Sequence, residues 1–278
     1  MIRTRLRAAG AVMVILLPVV AGLTAVSSAP AGATTSRATA PVAGRDLFLG
    51  SKGKNAPAVS LDWAGYAVTG PLITTVSGSW IQPTATCTGK ATQSATWVGI
   101  DGFAPTDPTV QQVGTDADCT KKVKKIPGGP SYYAWYEMFP GPLVPLSASL
   151  YPVAPGNQMS ASVTREGTAY QLVLTDDTVH WTYSTLQTAT TTPLDTSGEW
   201  IEEAPTSCQA AKCKPVALTD FGTVGFTGAT VDGQSISASG LTQDKITMSK
   251  NKKGTIVKAS TSVLDPTGAG FDVTWVQS

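Results

Sequence analysis

From Ser60 onward the sequence consists of short runs rich in β-branched and aromatic residues, separated by Gly, Pro, Asn and Asp. Runs of this kind favour β-strands, and the residues between them favour turns. No window carries an apolar stripe of helical period over three turns. Many short strands at this spacing predict a single all-β domain, either a sandwich or a closed barrel. The predicted strands are 73–82, 94–101, 109–115, 131–139, 158–166, 169–176, 179–186, 198–204, 221–231, 234–238, 244–249, 255–264 and 270–277.

The first 33 residues predict a signal peptide. "MIRTRLR" is a positively charged start, a long apolar stretch follows, and "AGA" at 31–33 fits a small-residue cleavage site. A membrane anchor is the competing interpretation, but no positive stop-transfer cluster follows, and no later stretch is apolar enough to span a bilayer. We therefore expect a secreted, extracellular protein that is not held at a membrane once the signal is removed.

Residues 34–58 are rich in Ala, Pro, Ser, Thr and Gly and show no period, which is typical of a linker or a propeptide. This leaves 59–278 as one β-sandwich domain. Loss of Arg3, Arg5 and Arg7 with the signal would change the net charge from +1 to −2. The sequence has no basic stripe that could neutralise phosphates, so we expect no nucleic-acid partner.

Four cysteines, Cys87, Cys119, Cys208 and Cys213, predict two disulfides in an exported protein. Three pairings are possible. We favour the local pairs Cys87–Cys119 and Cys208–Cys213, because each would close a loop beside a predicted strand. With no CxxC motif and a single histidine, His180, we expect no metal site and no cofactor.

The lone histidine also limits the chemistry available to an enzyme. His180 lies in "TVHWTY", which we interpret as an alternating strand, with no GxSxG motif nearby. Ser–His–Asp catalysis is therefore not favoured, and the absence of HExxH argues against a zinc hydrolase. Patterns for dinucleotide or phosphate binding are also absent. Carboxylates and amides would have to carry any catalysis.

Strand alternation places acids beside aromatic residues on shared faces. In "SYYAWYEMF", Tyr133, Trp135 and Glu137 share one face. In "ATWVGIDG", Trp97 and Asp101 share a face and have a glycine between them. An acid among aromatic residues on its own face is typical of a groove or a binding platform.

Two further strands follow the same pattern. "GEWIEEAP" at 198–205 holds three carboxylates, and alternation puts Glu202 and Glu203 on opposite faces. In "VQQVG", alternation likewise separates Gln111 from Gln112. Each polar residue could instead be an ordinary surface residue on an exposed sheet face. Four such strands are explained more economically by one polar site on a sheet.

The motifs together resemble the glutamic peptidases, the eqolisin family. The resemblance spans roughly residues 60 to 230 and is carried, in order and spacing, by "DWAGYAV" (62–68), "WVGIDG" (97–102), "VQQVG" (110–114), "YAWYEMFP" (133–140) and "EWIEEAP" (199–205). It implies a sandwich of two large, curved antiparallel sheets, a concanavalin-like jelly roll. The active site would lie in the concave face of one sheet.

The resemblance also implies roles for individual residues. Gln112 and Glu203 would form the catalytic pair, with Glu203 as general base and acid and Gln112 as stabiliser of the oxyanion. The cleft residues implied by the resemblance are Trp63, Trp97, Asp101 and Glu137, to which alternation adds Tyr133 and Trp135. With a carboxyl group as the acid and base, activity should favour acidic pH. We expect a monomeric endopeptidase acting on polypeptides.

Two other functions remain open from the residues. A retaining glycosidase on a jelly roll would use Glu137 and Glu203 as nucleophile and acid/base, about 5–5.5 Å apart. A carbohydrate-binding module would use the aromatic residues without a catalytic pair. An essential Gln112 distinguishes the peptidase from the glycosidase. Binding that stays mostly intact in Glu203→Gln would indicate the binding module.

Overall fold

The computed structural model describes residues 58–125, 128–209 and 212–278, without the side chains of 208, 209 and 212. The predicted signal peptide and linker lie outside the described residues, except for Ala58, which begins the first strand. The strands are β1 (Ala58–Ser60), β2 (Trp63–Thr69), β3 (Thr75–Ile81), β4 (Ala95–Ile100), β5 (Val110–Cys119), β6 (Pro130–Phe139), β7 (Val144–Pro145), β8 (Gln158–Glu166), β9 (Ala169–Asp176), β10 (Trp181–Thr188), β11 (Ser197–Glu203), β12 (Thr206–Gln209), β13 (Lys212–Pro215), β14 (Thr223–Val231), β15 (Gln234–Ser235), β16 (Thr242–Ser249), β17 (Val257–Thr261) and β18 (Phe271–Trp275).

Most of these strands belong to one continuous sheet that folds into two layers. The order is β10-β9-β8-β3-β14-β18-β17-β16-β2-β11-β4-β5-β6-β7. The first layer contains β10, β9, β8, β3, β14 and β18. The second layer contains β16, β2, β11, β4, β5, β6 and β7, and β17 joins the two. The pairs along this path are antiparallel. The predicted all-β sandwich is confirmed.

The main hydrophobic core lies between the two layers. Alternation along β9 buries Tyr170, Leu172 and Leu174 on one face. Trp200 of β11 and Val98 of β4 join the same core from the second layer. Alternate side chains of the strands therefore interdigitate between the layers, as the period of two predicts.

The second layer is buried on both of its faces. Every residue of β4 and of β11 is buried, including the acidic residues of "GEWIEEAP". On the face that points away from the first layer, a second hydrophobic cluster contains Trp63, Trp97 and Trp135. We call this face of β2, β11, β4, β5 and β6 the site face.

A disulfide joins Cys87 to Cys119, as predicted, and ties the loop after β3 to the end of β5. Cys208 and Cys213 are directly opposite in the β12–β13 hairpin. Because the Cys208 side chain lies outside the described part of the chain, the second pairing stays a prediction.

The strand predicted at 179–186 begins later than expected. His180 is exposed and has a φ of 60°, so it belongs to the turn before β10 and not to an alternating strand. Strand β2 was absent from the predicted strands. Within the described ranges the structure contains no helix, and so none that could cross a membrane.

Candidate active site

The register of four adjacent strands arranges the predicted site residues in rows across the site face. Directly opposed residues of antiparallel strands share a face. Reading across β11, β4, β5 and β6, the rows are Glu199–Gly99–Gln112–Glu137, then Ile201–Trp97–Gly114–Trp135, then Glu203–Ala95–Asp116–Tyr133. Trp63 of β2 lies opposite Glu203 at the end of the third row. Seven of the eight predicted site residues thus lie on one surface.

Gln112 and Glu203 lie on this face with only β4 between their strands, and both are fully buried. Gln112 Nε2 donates a hydrogen bond of 2.7 Å to Glu137 Oε2. Trp97 Nε1 donates one of 2.9 Å to Glu203 Oε2. Among the described residues, Oε1 of each of Gln112, Glu137 and Glu203 has no hydrogen-bond partner. Buried polar atoms are rarely left without partners, so these three atoms are candidates for contact with water or substrate.

The site holds several buried carboxyl groups whose pKa values are raised. Burial raises the pKa of Glu203 well above its ordinary value, and the nearby carboxyl of Asp62 raises it further. The hydrogen bond from Trp97 opposes this rise, while Glu137 and Asp116 add to it. Burial also raises the pKa of Glu137, against the opposing hydrogen bond from Gln112. Desolvation and like charge therefore favour protonated carboxyls here.

Asp116 holds two of the predicted aromatic residues in place. Its carboxyl accepts hydrogen bonds of 2.6 Å from Trp135 Nε1 and from the Tyr133 hydroxyl. Trp63 packs edge-to-face against Trp97 with ring centroids 4.9 Å apart. Asp116 was not among the predicted site residues, although alternation from Gln112 along β5 would have placed it on the same face.

Asp101 lies at the end of β4 and binds backbone. Its carboxyl accepts hydrogen bonds of 3.0 Å from the backbone N–H groups of Leu194, Asp195 and Thr196. Its positive φ of 73° turns the chain out of the strand. The structure thus gives Asp101 a role in holding the segment before β11, and direct contact with substrate stays a prediction.

Two further acids were missed as site candidates. Glu199 lies on the site face four residues before Glu203. Asp62 precedes Trp63, is fully buried, and accepts a hydrogen bond of 2.7 Å from the Ser60 hydroxyl. Glu202 faces the first layer, where Thr96 donates a bond of 2.6 Å to it. Among the described residues, no group of three or more His, Cys, Asp or Glu side chains is arranged to hold a metal ion.

Comparison with known proteins finds solved structures with a similar fold. The fold resembles that of scytalido-glutamic peptidase bound to a transition state analog inhibitor, with a TM-score of 0.64 and 24% identity over 77% of this chain and 98% of that one. It also resembles SCP-B, a member of the eqolisin family of peptidases bound to the tripeptide Ala-Ile-His, with a TM-score of 0.60, the same identity and the same coverage. A search of curated proteins found no significant match.

At this identity the two structural likenesses establish the fold. The family rests on a sequence comparison, in which the Peptidase A4 family matches residues 61–270 and so spans every strand of the site face. A peptidase family favours peptide hydrolysis over the glycosidase and binding-module alternatives. The chain belongs to the Peptidase A4 family and is a glutamic-type peptidase.

Proposed function

We propose that this peptidase is a secreted acid endopeptidase in which Gln112 and Glu203 act together on one water molecule. The observation that carries the proposal is that both side chains lie on the site face, buried, and each keeps one oxygen without a partner among the described residues. A water molecule between them would supply the missing hydrogen bonds.

In this mechanism ionised Glu203 takes a proton from the water as the water oxygen bonds to the carbonyl carbon of the substrate. The same carboxyl then gives that proton to the leaving amine as the C–N bond breaks. The side-chain amide of Gln112 accepts a hydrogen bond from the water and donates one to the oxyanion. Its bond to Glu137 uses one N–H and fixes the plane of the amide, which leaves the second N–H for the oxyanion.

Acidic operation is supported by the use of a carboxyl group, Glu203, as the acid and base of the proposed mechanism. Burial and the neighbouring Asp62 raise the pKa of Glu203. A general base works best near its own pKa, so the raised pKa of Glu203 would place the optimum above that expected for an ordinary carboxyl. Secretion is supported by the predicted signal peptide at 1–33 and by the Cys87–Cys119 disulfide. The catalytic domain is proposed to be 59–278, monomeric, with 34–58 as a linker or propeptide.

The test is digestion of unfolded casein at acidic pH by wild type and by Glu203→Gln. We expect digestion by wild type and its near-complete loss in the variant, because the amide can neither take nor give the proton. Glu166→Gln, at the exposed end of β8, is the matched control and should digest like wild type. Equal digestion by Glu203→Gln and wild type would overturn the assignment, as would release of reducing sugar from glycans without any proteolysis.

A further inference from the structure

The chain that carries Glu203 is tied to the residue that precedes β2. Glu203 ends β11, and the backbone N–H of the next residue, Ala204, donates a hydrogen bond of 2.8 Å to the backbone carbonyl of Asp62. Trp63 lies directly opposite Glu203 in the neighbouring strand. The backbone pairing therefore brings Asp62 beside the corner of the chain that follows the proposed catalytic carboxyl.

The carboxyl of Asp62 is held in place by hydroxyl groups. It accepts a hydrogen bond of 2.7 Å from Ser60, and a longer one of 3.5 Å from Thr206. Ser60 Oγ in turn accepts the backbone N–H groups of Asp62 and Trp63. Asp62 is fully buried. Burial of an isolated carboxylate is costly, so an ionised Asp62 requires a positive charge nearby.

A buried lysine lies near this corner. Lys258 of β17 is 5% exposed. It is the extra residue of a β-bulge, because its two neighbours in the chain lie opposite the consecutive residues Met248 and Ser249 of β16. Met248 also pairs with Ser60 of β1, so the bulge lies close to the residue that holds Asp62. Bulges redirect side chains and are frequent next to active sites.

Electrostatic interactions connect Lys258 to Asp62 and Asp62 to Glu203. Burial raises the pKa of Asp62 to about 7, and the hydrogen bond from Ser60 and the charge of Lys258 oppose the rise. Burial lowers the pKa of Lys258 to about 8, and Asp62 opposes that fall. After burial, the carboxyl of Asp62 is the largest cause of the raised pKa of Glu203. Lys258 has no carboxylate within 4.0 Å among the described residues, so it acts on Asp62 through space.

We infer that Asp62 is a positioning residue for the proposed peptidase reaction, with Lys258 as its counter-ion. This inference rests on the proposed function, because it assumes that Glu203 is the general base. Through its bonds to Ala204 and Thr206, Asp62 fixes the corner that orients the end of β11. Lys258 favours the ionised form of Asp62, and this carboxylate makes Glu203 a stronger base because it holds the proton on Glu203 to higher pH. The other charged groups that act on Glu203 or Lys258 are Asp116 of β5, Glu137 of β6 and Lys250.

The first test is the pH profile of kcat/KM for Asp62→Asn and for Lys258→Met. Asparagine keeps an oxygen for the Ser60 bond but carries no charge, so the limb on which Glu203 ionises should move down by about 1 pH unit. Lys258→Met should move the limb in the same direction, since Asp62 then stays neutral to higher pH. Lys253→Met, at an exposed turn before β17, is the control and should leave the profile unchanged. Profiles of both test variants that coincide with wild type would overturn the inference.

Combining the two substitutions tests whether Lys258 acts through Asp62. In the Asp62→Asn background, Lys258→Met should no longer move the limb to lower pH, because no carboxylate is left for the lysine to stabilise. An equal downward shift in both backgrounds would show that Lys258 acts on Glu203 by another route, and would overturn its role as the counter-ion.

A titration that does not depend on cleavage separates failure of this inference from failure of the proposed function. Carbon NMR of protein labelled at the glutamate carboxyls would follow Glu203, whose signal is identified by its loss in Glu203→Gln. In Asp62→Asn this signal should titrate at lower pH than in wild type, and Lys258→Met gives the same readout if Asp62→Asn does not fold. An unchanged titration would overturn the inference alone. A shifted titration in a protein whose cleavage does not need Glu203 would overturn the catalytic proposal alone.

Discussion

The indole N–H of Trp97 donates its hydrogen bond to Oε2 of Glu203, two strand positions away on the neighbouring strand. A donor to a carboxyl group favours the ionised form and so holds its pKa down. In this site that bond opposes burial and the nearby carboxyls of Asp62, Glu137 and Asp116. Trp97 is therefore positioned to adjust the protonation of Glu203 and not only to line the cleft.

Trp97→Phe should shift the pH dependence of cleavage. Removing the donor raises the pKa of Glu203, so the limb of the profile on which Glu203 must ionise moves to higher pH. The profile of kcat/KM against pH measures this for the free enzyme. The variant Trp135→Phe loses a donor to Asp116 instead and should shift this limb less. A Trp97→Phe profile that coincides with wild type would contradict this role.

Gln112→Glu should lower kcat by about 10²–10³, the usual cost of one lost oxyanion donor. The substitution keeps the shape of the side chain and removes its N–H groups, including the donor to Glu137. Steady-state kinetics on a peptide substrate would measure the loss. Gln158→Glu, on an exposed residue of β8, is the control. Full activity in Gln112→Glu would remove the amide from the mechanism.

Gly99→Ala should reduce kcat/KM by about tenfold or more, because displacement of catalytic groups by even 1 Å is costly. The added methyl group would press on Gln112 and on Trp97. Gly129→Ala is the matched control, since a Cβ there meets no atom within 4 Å. Equal kinetics for the two variants, with unchanged melting temperatures, would show that the site does not need a residue without a side chain at position 99.

The protein should be most stable at acidic pH. Burial raises the pKa of Asp62 and of Asp101 to about 7 and that of Glu202 to about 8. In each case the folded state binds the proton more tightly than the unfolded chain, whose carboxyls titrate near about 4. The stabilisation that these three carboxyl groups contribute is complete below about pH 4 and is lost as the pH rises to about 8. Urea unfolding at a series of pH values would measure the decline.

Glu202→Gln offers the specific check on that prediction. The amide cannot ionise, so the variant should lose less stability than wild type between mildly acidic pH and about pH 8. Glu166→Gln, at an exposed site, should follow the wild-type curve. A Glu202→Gln curve parallel to that of wild type would contradict the prediction. It would mean that the Glu202 carboxyl stays neutral in this pH range or is not held in a buried position.

Replacing both Cys87 and Cys119 with serine should lower the free energy of unfolding by roughly 3–4 kcal/mol, the entropic value for a loop of this size. The two cysteines are 32 residues apart in the sequence. Urea titrations of the variant and of wild type under non-reducing conditions would measure the difference. A change within about 0.5 kcal/mol would contradict the prediction, because it is the size of an ordinary surface substitution.

Much of the site face could be predicted because alternation is a local property. The pattern in "SYYAWYEMF" placed Tyr133, Trp135 and Glu137 on one face, and the structure has them there. The same pattern separated Glu202 from Glu203, and the two face opposite sides of β11. What brings these strands together is the insertion of β11 between β2 and β4, which alternation does not predict. The family resemblance supplied only the expectation that Gln112 and Glu203 share one site.

The remaining differences have physical causes that no local pattern contains. Asp101 shares a face with Trp97 in the alternating sequence, but its positive φ turns the chain at the end of β4 and directs its carboxyl to three backbone N–H groups. Asp62 was missed because its burial depends on Ser60 and on the distant Thr206. His180 fell in a turn because Asp176 accepts its N–H and that of Val179.

Trp97 and Glu203 are 106 residues apart in the chain, and β11 reaches its place only by entering between two strands that are synthesised long before it. In the proposed mechanism, a chain in which β11 is not yet inserted would hold Gln112 without Glu203 beside it. A nascent or partly opened molecule would therefore be unable to digest its neighbours. Proteolytic activity would therefore depend on β11 being in place between β2 and β4.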